Sequence, residues 1–315
     1  MRASTLLPAL LVVAVVVLPS QGHSAGGQSK LTGTLQADYF TIHYDPADPL
    51  LAELIANAAH EELLRISRDL GYTPEKNNRL PLYVYRSHYD FIQAGGRDVQ
   101  KFTVGLARGD QGISVDASGA FVSSKEVLAH EITHAVIARI LGRNAAALPL
   151  WVNEGLAMHQ SQAYDDGEAA VANAAASGTL MPLAELAASF PRKRADLAYA
   201  QSASAIRYMS ERHGNSAPRT LLAALAETGS FDQAMRKATG MSADEFADHW
   251  YARATRRYRT VRVVRIVGAL LGMVMALLAV VAFLVRRRQK IEAARRWEME
   301  EFDERMNREL RDWWR

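Results

Sequence analysis

Residues 130–134 of this 315-residue chain read His-Glu-Ile-Thr-His. On a helix, positions i and i+4 share a face, so His130 and His134 can reach one metal ion together. Glu131 sits one step round the same helix, within reach of a water that such an ion activates. The residue types suit the chemistry, because neutral imidazoles hold zinc and a carboxylate serves as a base. Twenty positions after His134, past Gly142 and Pro149, comes Asn153-Glu154-Gly155-Leu156-Ala157. On a second helix, Glu154 can return to the ion as third ligand and leave a fourth position for water, as a catalytic zinc site requires. Alone, Glu154 would read as a solvated helix-start carboxylate favoured by the dipole. With the two histidines in place, the ligand reading prevails.

The elements that must carry these residues can be read in turn. Ser123-x-x-Glu126 has the form of a capping box, and Val127, Leu128, Ile132, Val136 and Ile137 supply the apolar positions of a helix over 124–141. Further helices are expected at 49–70, 150–162, 168–177, 196–213, 217–227 and 242–257. Strands are expected at 39–44 (YFTIHY), 80–85 (LPLYVY), 104–107 and 112–116 (GISVD), the last two joined by the turn Arg108-Gly109-Asp110-Gln111. Gly95-Gly96 reads as the opening of a loop. The class is α+β: a small mixed sheet, an active-site helix, then a helical subdomain. Other candidates have weaker claims. Glu126 is explained by its cap position, His159 as a packing or surface histidine, and Trp151 as a helix-packing anchor. His43, His60, His88, His213 and His249 lack ligand spacing.

Composition narrows the function further. There is no cysteine, which excludes disulfides, thiol nucleophiles and cysteine-based zinc sites. The formal net charge is +3, but residues 253–315 hold 16 Lys and Arg against 8 Asp and Glu. With Arg2 also basic, the remainder, 3–252, is acidic. Basicity clustered beside an apolar segment argues for a membrane and against nucleic acid.

VLAHEITH (127–134) followed by LPLWVNEGLA (148–157) resembles the gluzincin metallopeptidases, and most closely the peptidase MA-like family related to the aminopeptidase N and thermolysin groups. The resemblance covers roughly 35–215. It implies one zinc ion, peptide-bond hydrolysis of a peptide or protein substrate, and Glu131 as general base. Two further roles are implied by it alone. Tyr199, in AYAQSASAIRYM (198–209), is similar to the tyrosine that donates a hydrogen bond to the oxyanion; the alternative is a tyrosine anchoring its helix in the core. GISVD is similar to the edge strand that pairs with extended substrate. Thermolysin-like enzymes carry an aspartate four residues after the ligand glutamate, whereas position 158 here is Met, so the partner orienting a ligand histidine is left unassigned. Two rival functions stay open: a binding protein on a retired peptidase scaffold, and a zinc hydrolase of a non-peptide amide.

Two apolar segments frame this domain. Leu6 to Leu18, after Arg2 and before Pro19, Ser20 and Gly22, reads as a signal peptide within 1–25, an uncleaved anchor being the alternative. Ile266 to Val285 is long enough, without a charge, to cross a bilayer. The expected organisation is a signal peptide at 1–25 and a metallopeptidase domain at 30–257, its sheet part 30–120 and its helical part 121–257. A transmembrane helix at 266–285 and a charged helical tail at 286–315 follow. Arginine flanks the span on both sides, so the signal segment orients it: catalytic domain outside the cytoplasm, tail inside. In the tail, Met299, Phe302, Met306, Leu310 and Trp313 form a stripe suited to the inner leaflet or to a partner helix.

Overall fold

The computed structural model describes residues 30–95, 104–108, 111–118, 124–161 and 165–313. The signal segment, Ser123 of the capping box, Gly96 and the centre of the 108–111 turn lie outside the described residues. The described chain falls into two compact units, the first ending at Arg256 and the second beginning at Arg257.

The first unit opens with two short strands, β1 (Gly33–Gln36) and β2 (Phe40–Tyr44), paired antiparallel with Gly33 opposite Tyr44. The polar GTLQ of β1 carries no strand signal of its own, and pairing to β2 creates the element. Helix α1 (Pro49–Leu70) follows, with Pro49 in its first turn. The Asp48 carboxylate accepts from Leu51 N at 3.2 Å, and Gly71 ends the helix in the left-handed conformation. Its apolar face, Ile55, Ala59, Leu63 and Ile66, is buried. Strand β3 (Leu80–Tyr85) leads into α2 (His88–Gly95), a short helix that buries only Phe91 and so escapes a periodicity reading. Strands β4 (Gly105–Ala107) and β5 (Ile113–Asp116) complete a five-stranded mixed sheet in the order β1-β2-β3-β5-β4. The ends of the 108–111 turn close as expected, Arg108 N donating to Gly112 O at 2.9 Å.

This order corrects the edge-strand expectation. Ser114 of β5 lies opposite Tyr83 of β3 on one side and Leu106 of β4 on the other. GISVD is therefore an interior strand, and the outer one is β4. A segment as short as Gly105–Ala107 has too little sequence pattern to announce its place. That place follows from which strand finds a partner on both sides.

Helix α3 (Ser124–Leu141) packs on α1 and runs beneath β4 and β5. A 3-10 turn (Gly142–Ala147) leads to α4 (Leu150–Ser161), which lies against α3. Helices α5 (Asp165–Ser177) and α6 (Ala195–His213) follow, then α7 (Ala217–Thr228) and α8 (Phe231–Thr239). Helix α8 was not legible as a helix. Its boundaries come from Ser230, whose hydroxyl accepts from Gln233 N, and from Gly240. Trp151 packs as expected, stacked on Phe246 at 6.1 Å and edge-on to Phe231 at 6.3 Å.

The last helix, α9 (Ala243–Trp313), is continuous where the sequence suggested separate segments. It contains no proline, and a helix satisfies its own backbone whatever surrounds it. In the second unit it holds one stretch long and apolar enough to cross a membrane, with Leu270, Leu271, Met273 and Phe283 exposed. Met299, Phe302 and Met306 of the tail stripe are exposed too.

Candidate active site

Helix α3 delivers His130, Glu131 and His134, and α4 delivers Glu154. All four are buried, at 0%, 0%, 6% and 1% exposure. Polar side chains this deep need partners. Yet His130 Nε2, His134 Nε2 and Glu154 Oε2 have no hydrogen bond, and they converge. Glu154 Oε2 lies 3.5 Å from His130 Nε2 and 3.7 Å from His134 Nε2, and one ligand atom from each residue falls within 4.8 Å of the others. Two ligands about 2.0–2.2 Å from one tetrahedral zinc stand roughly 3.3–3.6 Å apart, so the spacing fits. Among the described residues, this is the one such group of three.

The electrostatics point the same way. Burial lowers His130 to about 3. Burial also lowers His134, to about 4, against the pull of Glu154. Both imidazoles are therefore neutral at pH 7, as metal ligands must be. Burial raises Glu154 to about 7, with His134 opposing. Glu131 is pushed well above the usual carboxylate range, first by burial and then by the Glu154 carboxylate. The Ala107 amide opposes this from β4, although its geometry falls short of a hydrogen bond and both Glu131 oxygens are otherwise without partners. Two buried carboxylates beside two neutral imidazoles are a poor arrangement alone and a good one around a cation.

The unassigned histidine partner is Asn153. Its Oδ1 lies 3.1 Å from His134 Nδ1. An amide oxygen only accepts, so Nδ1 carries the hydrogen and Nε2 turns its lone pair toward Glu154. The residue sits immediately before Glu154, the candidate third ligand, and that adjacency was the only signal available in the sequence.

Tyr199 projects from α6, half-buried and edge-on to Phe190 at 5.1 Å. Its phenol is held well above the usual range by burial, then by Glu154, Glu131 and Asp196, which places it within electrostatic reach of both site carboxylates. The helix is brought close by Gly155. A Cβ there would lie 2.5 Å from Ser202 O of α6, so only glycine lets the two backbones approach. Gln201, two residues on, is fully buried and fixes the same turn: it accepts from Met181 N at 3.0 Å and donates to Met181 O at 2.8 Å. Sequence reading missed Gln201.

The remaining candidates lie elsewhere. Glu126 is partly buried in the first turn of α3. His43 stacks on Tyr83, His60 on Tyr39, and His88 meets Asp116 Oδ2 at 2.8 Å. His213 sits near Tyr208 and Phe246, and burial lowers His159. None of these, nor His249, belongs to the group of three that could hold a metal ion.

Comparison with known proteins bears on the chain as a whole. Among solved structures, an M1 zinc metallopeptidase mutant from Deinococcus radiodurans is 17% identical with a TM-score of 0.40, covering 70% of this chain and 51% of that one. A two-domain M1 zinc metallopeptidase mutant bound to L-arginine is 16% identical with a TM-score of 0.39, covering 71% and 50%. The chain thus spans about half the length of each. No curated protein matches it. The family described as the peptidase MA superfamily matches residues 58–255. That match takes in the sheet from β3 onward, α3, α4 and α6, and the chain belongs to the peptidase MA superfamily.

Proposed function

We propose that the chain is a membrane-anchored zinc metallopeptidase, with zinc held by His130, His134 and Glu154. The observation that carries the reading is the convergence of three buried, unpartnered ligand atoms beside a fourth buried group, Glu131. Zinc bound there supplies a Lewis acid that polarises a scissile carbonyl and acidifies water. Glu131 takes the proton from the attacking water and passes it to the leaving amine. Its raised pKa suits a group that must hold a proton between those two steps. The Tyr199 phenol, kept protonated, donates to the carbonyl oxygen as negative charge develops on it.

A peptide substrate is supported by β4. Val104 O accepts from Asp116 N, and Arg108 N donates to Gly112 O. In an antiparallel ladder these inward-facing groups alternate with outward-facing ones, so the backbones of Gly105 and Ala107 face away from β5. No strand pairs with that side among the described residues. An extended peptide can add there with little demand on its sequence, directly beside Glu131.

The anchor is the apolar stretch of α9, and the proposed topology places the catalytic domain outside the cytoplasm and the tail inside. Glu131→Gln tests the mechanism: the variant should keep zinc and lose hydrolysis of a mixed peptide library. A fully active variant removes Glu131 as base. A purified domain without near-stoichiometric zinc supports the retired-scaffold alternative. Cleavage confined to small amides or esters supports the non-peptide one.

A further inference from the structure

Gly105 lies where β4 passes over Glu131. A Cβ at this position would stand 2.5 Å from Glu131 Oε1, 2.8 Å from Glu131 Cγ and 2.7 Å from Val127 Cγ1. Non-bonded carbon contacts settle near ~3.5–4.0 Å, so something must move. The strand is poorly placed to do so. Its inner edge is bonded to β5, and on its opposite face Leu106 is packed in a buried cluster with Tyr85 and Phe91. The group with freedom is the Glu131 side chain, whose far end, Oε1, makes the shortest contact and whose Cγ must turn with it.

We infer that Gly105 is a positioning residue whose missing side chain sets where the Glu131 carboxylate rests. The inference rests on the metallopeptidase reading above. Gly105 also turns its backbone outward, on the edge where substrate would add. The residue beneath the bound peptide is therefore the one that must leave room for the base. A methyl group at 105 fills that space and drives the carboxylate away from the peptide it serves, while the metal ligands on the same helix are untouched.

The test is Gly105→Ala in the full chain, read as kcat, KM, zinc content and melting temperature. A reacting group displaced by about 1 Å costs on the order of 10²-fold, so kcat should fall by roughly that factor with KM within about threefold and zinc retained. A second role for the glycine is purely structural, namely letting α3 approach β4 at Val127, and Val127→Ala separates the two. It relieves the Val127 contact and leaves the Glu131 contact in place. The double variant Gly105→Ala/Val127→Ala should stay as slow as Gly105→Ala. Recovery of kcat in the double variant overturns the proposal, as does loss of the fold in Gly105→Ala. The outcomes stay distinct from those for the enzyme itself: an active Glu131→Gln refutes the general base, whereas an inactive Glu131→Gln beside a fully active Gly105→Ala refutes only the positioning role.

Discussion

Replacing Asn153 with Ala removes the group that, among the described residues, bonds to Nδ1 of the proposed zinc ligand His134. His134 is 6% exposed, and its Nδ1 reaches Asn153 Oδ1 at 3.1 Å. At that depth water cannot readily take over the bond. The variant therefore loses a neutral hydrogen bond of about 1 kcal/mol and strands a buried donor, which costs about 1–3 kcal/mol. Part of that cost also falls on the metal-free protein, where the imidazole stays buried. The share that appears in zinc binding should be about 1.4–2.8 kcal/mol, or a 10- to 100-fold weaker Kd, the usual range for such partners. Competition against a chromogenic chelator at fixed pH reads this directly. Asn153→Asp serves as the control, since a carboxylate oxygen still accepts from Nδ1, and its Kd should match or better that of the parent. An Asn153→Ala protein whose zinc Kd stays within twofold of the parent would falsify the argument, because ring orientation would then be set by packing alone.

Other outcomes follow from the same geometry. Tyr199→Phe should lower kcat by about 10²- to 10³-fold with zinc content unchanged if the phenol is an oxyanion donor; an unchanged kcat assigns it to packing against Phe190. Zinc affinity should climb with pH up to about 7 and then level off. Glu154, raised to about 7 by burial, must lose its proton to bind, whereas His130 and His134 at about 3 and 4 are already neutral. Titration with zinc near pH 6 in weak buffer should therefore release about one proton from Glu154, and release that persists unchanged in Glu154→Gln would refute that assignment. Trp151→Ala removes the ring stacked on Phe246 and edge-on to Phe231 and should destabilise the domain by about 3–5 kcal/mol in denaturant melts. Protease added to intact spheroplasts should digest the main domain and spare the tail; the reverse pattern inverts the topology.

The proposed ligands and base could be read from the sequence because their spacing is local or nearly so. His130 and His134 share a face by helix geometry alone, and Glu154 needed only a second helix returning after Pro149. Helices α1, α3, α4, α6 and α7 were legible for the same reason. Asp48 and Pro49 open α1 and Gly71 closes it, each signal local to its own end, and apolar periodicity fills in the rest. What the sequence could not determine depends on partners that local pattern does not name. β1 is a strand because β2 offers it hydrogen bonds, and β4, expected as a strand at 104–107, is too short to signal whether it will be inner or outer. That is why the edge was expected at GISVD and lies instead at Gly105–Ala107. Asn153 and Gln201 are ordinary polar residues in sequence. Their meaning comes from His134 on another helix and from Met181 across a loop. Gly105 is the sharpest instance: its want of a side chain matters only because the fold lays β4 across the carboxylate of Glu131, a residue 26 positions further along the chain.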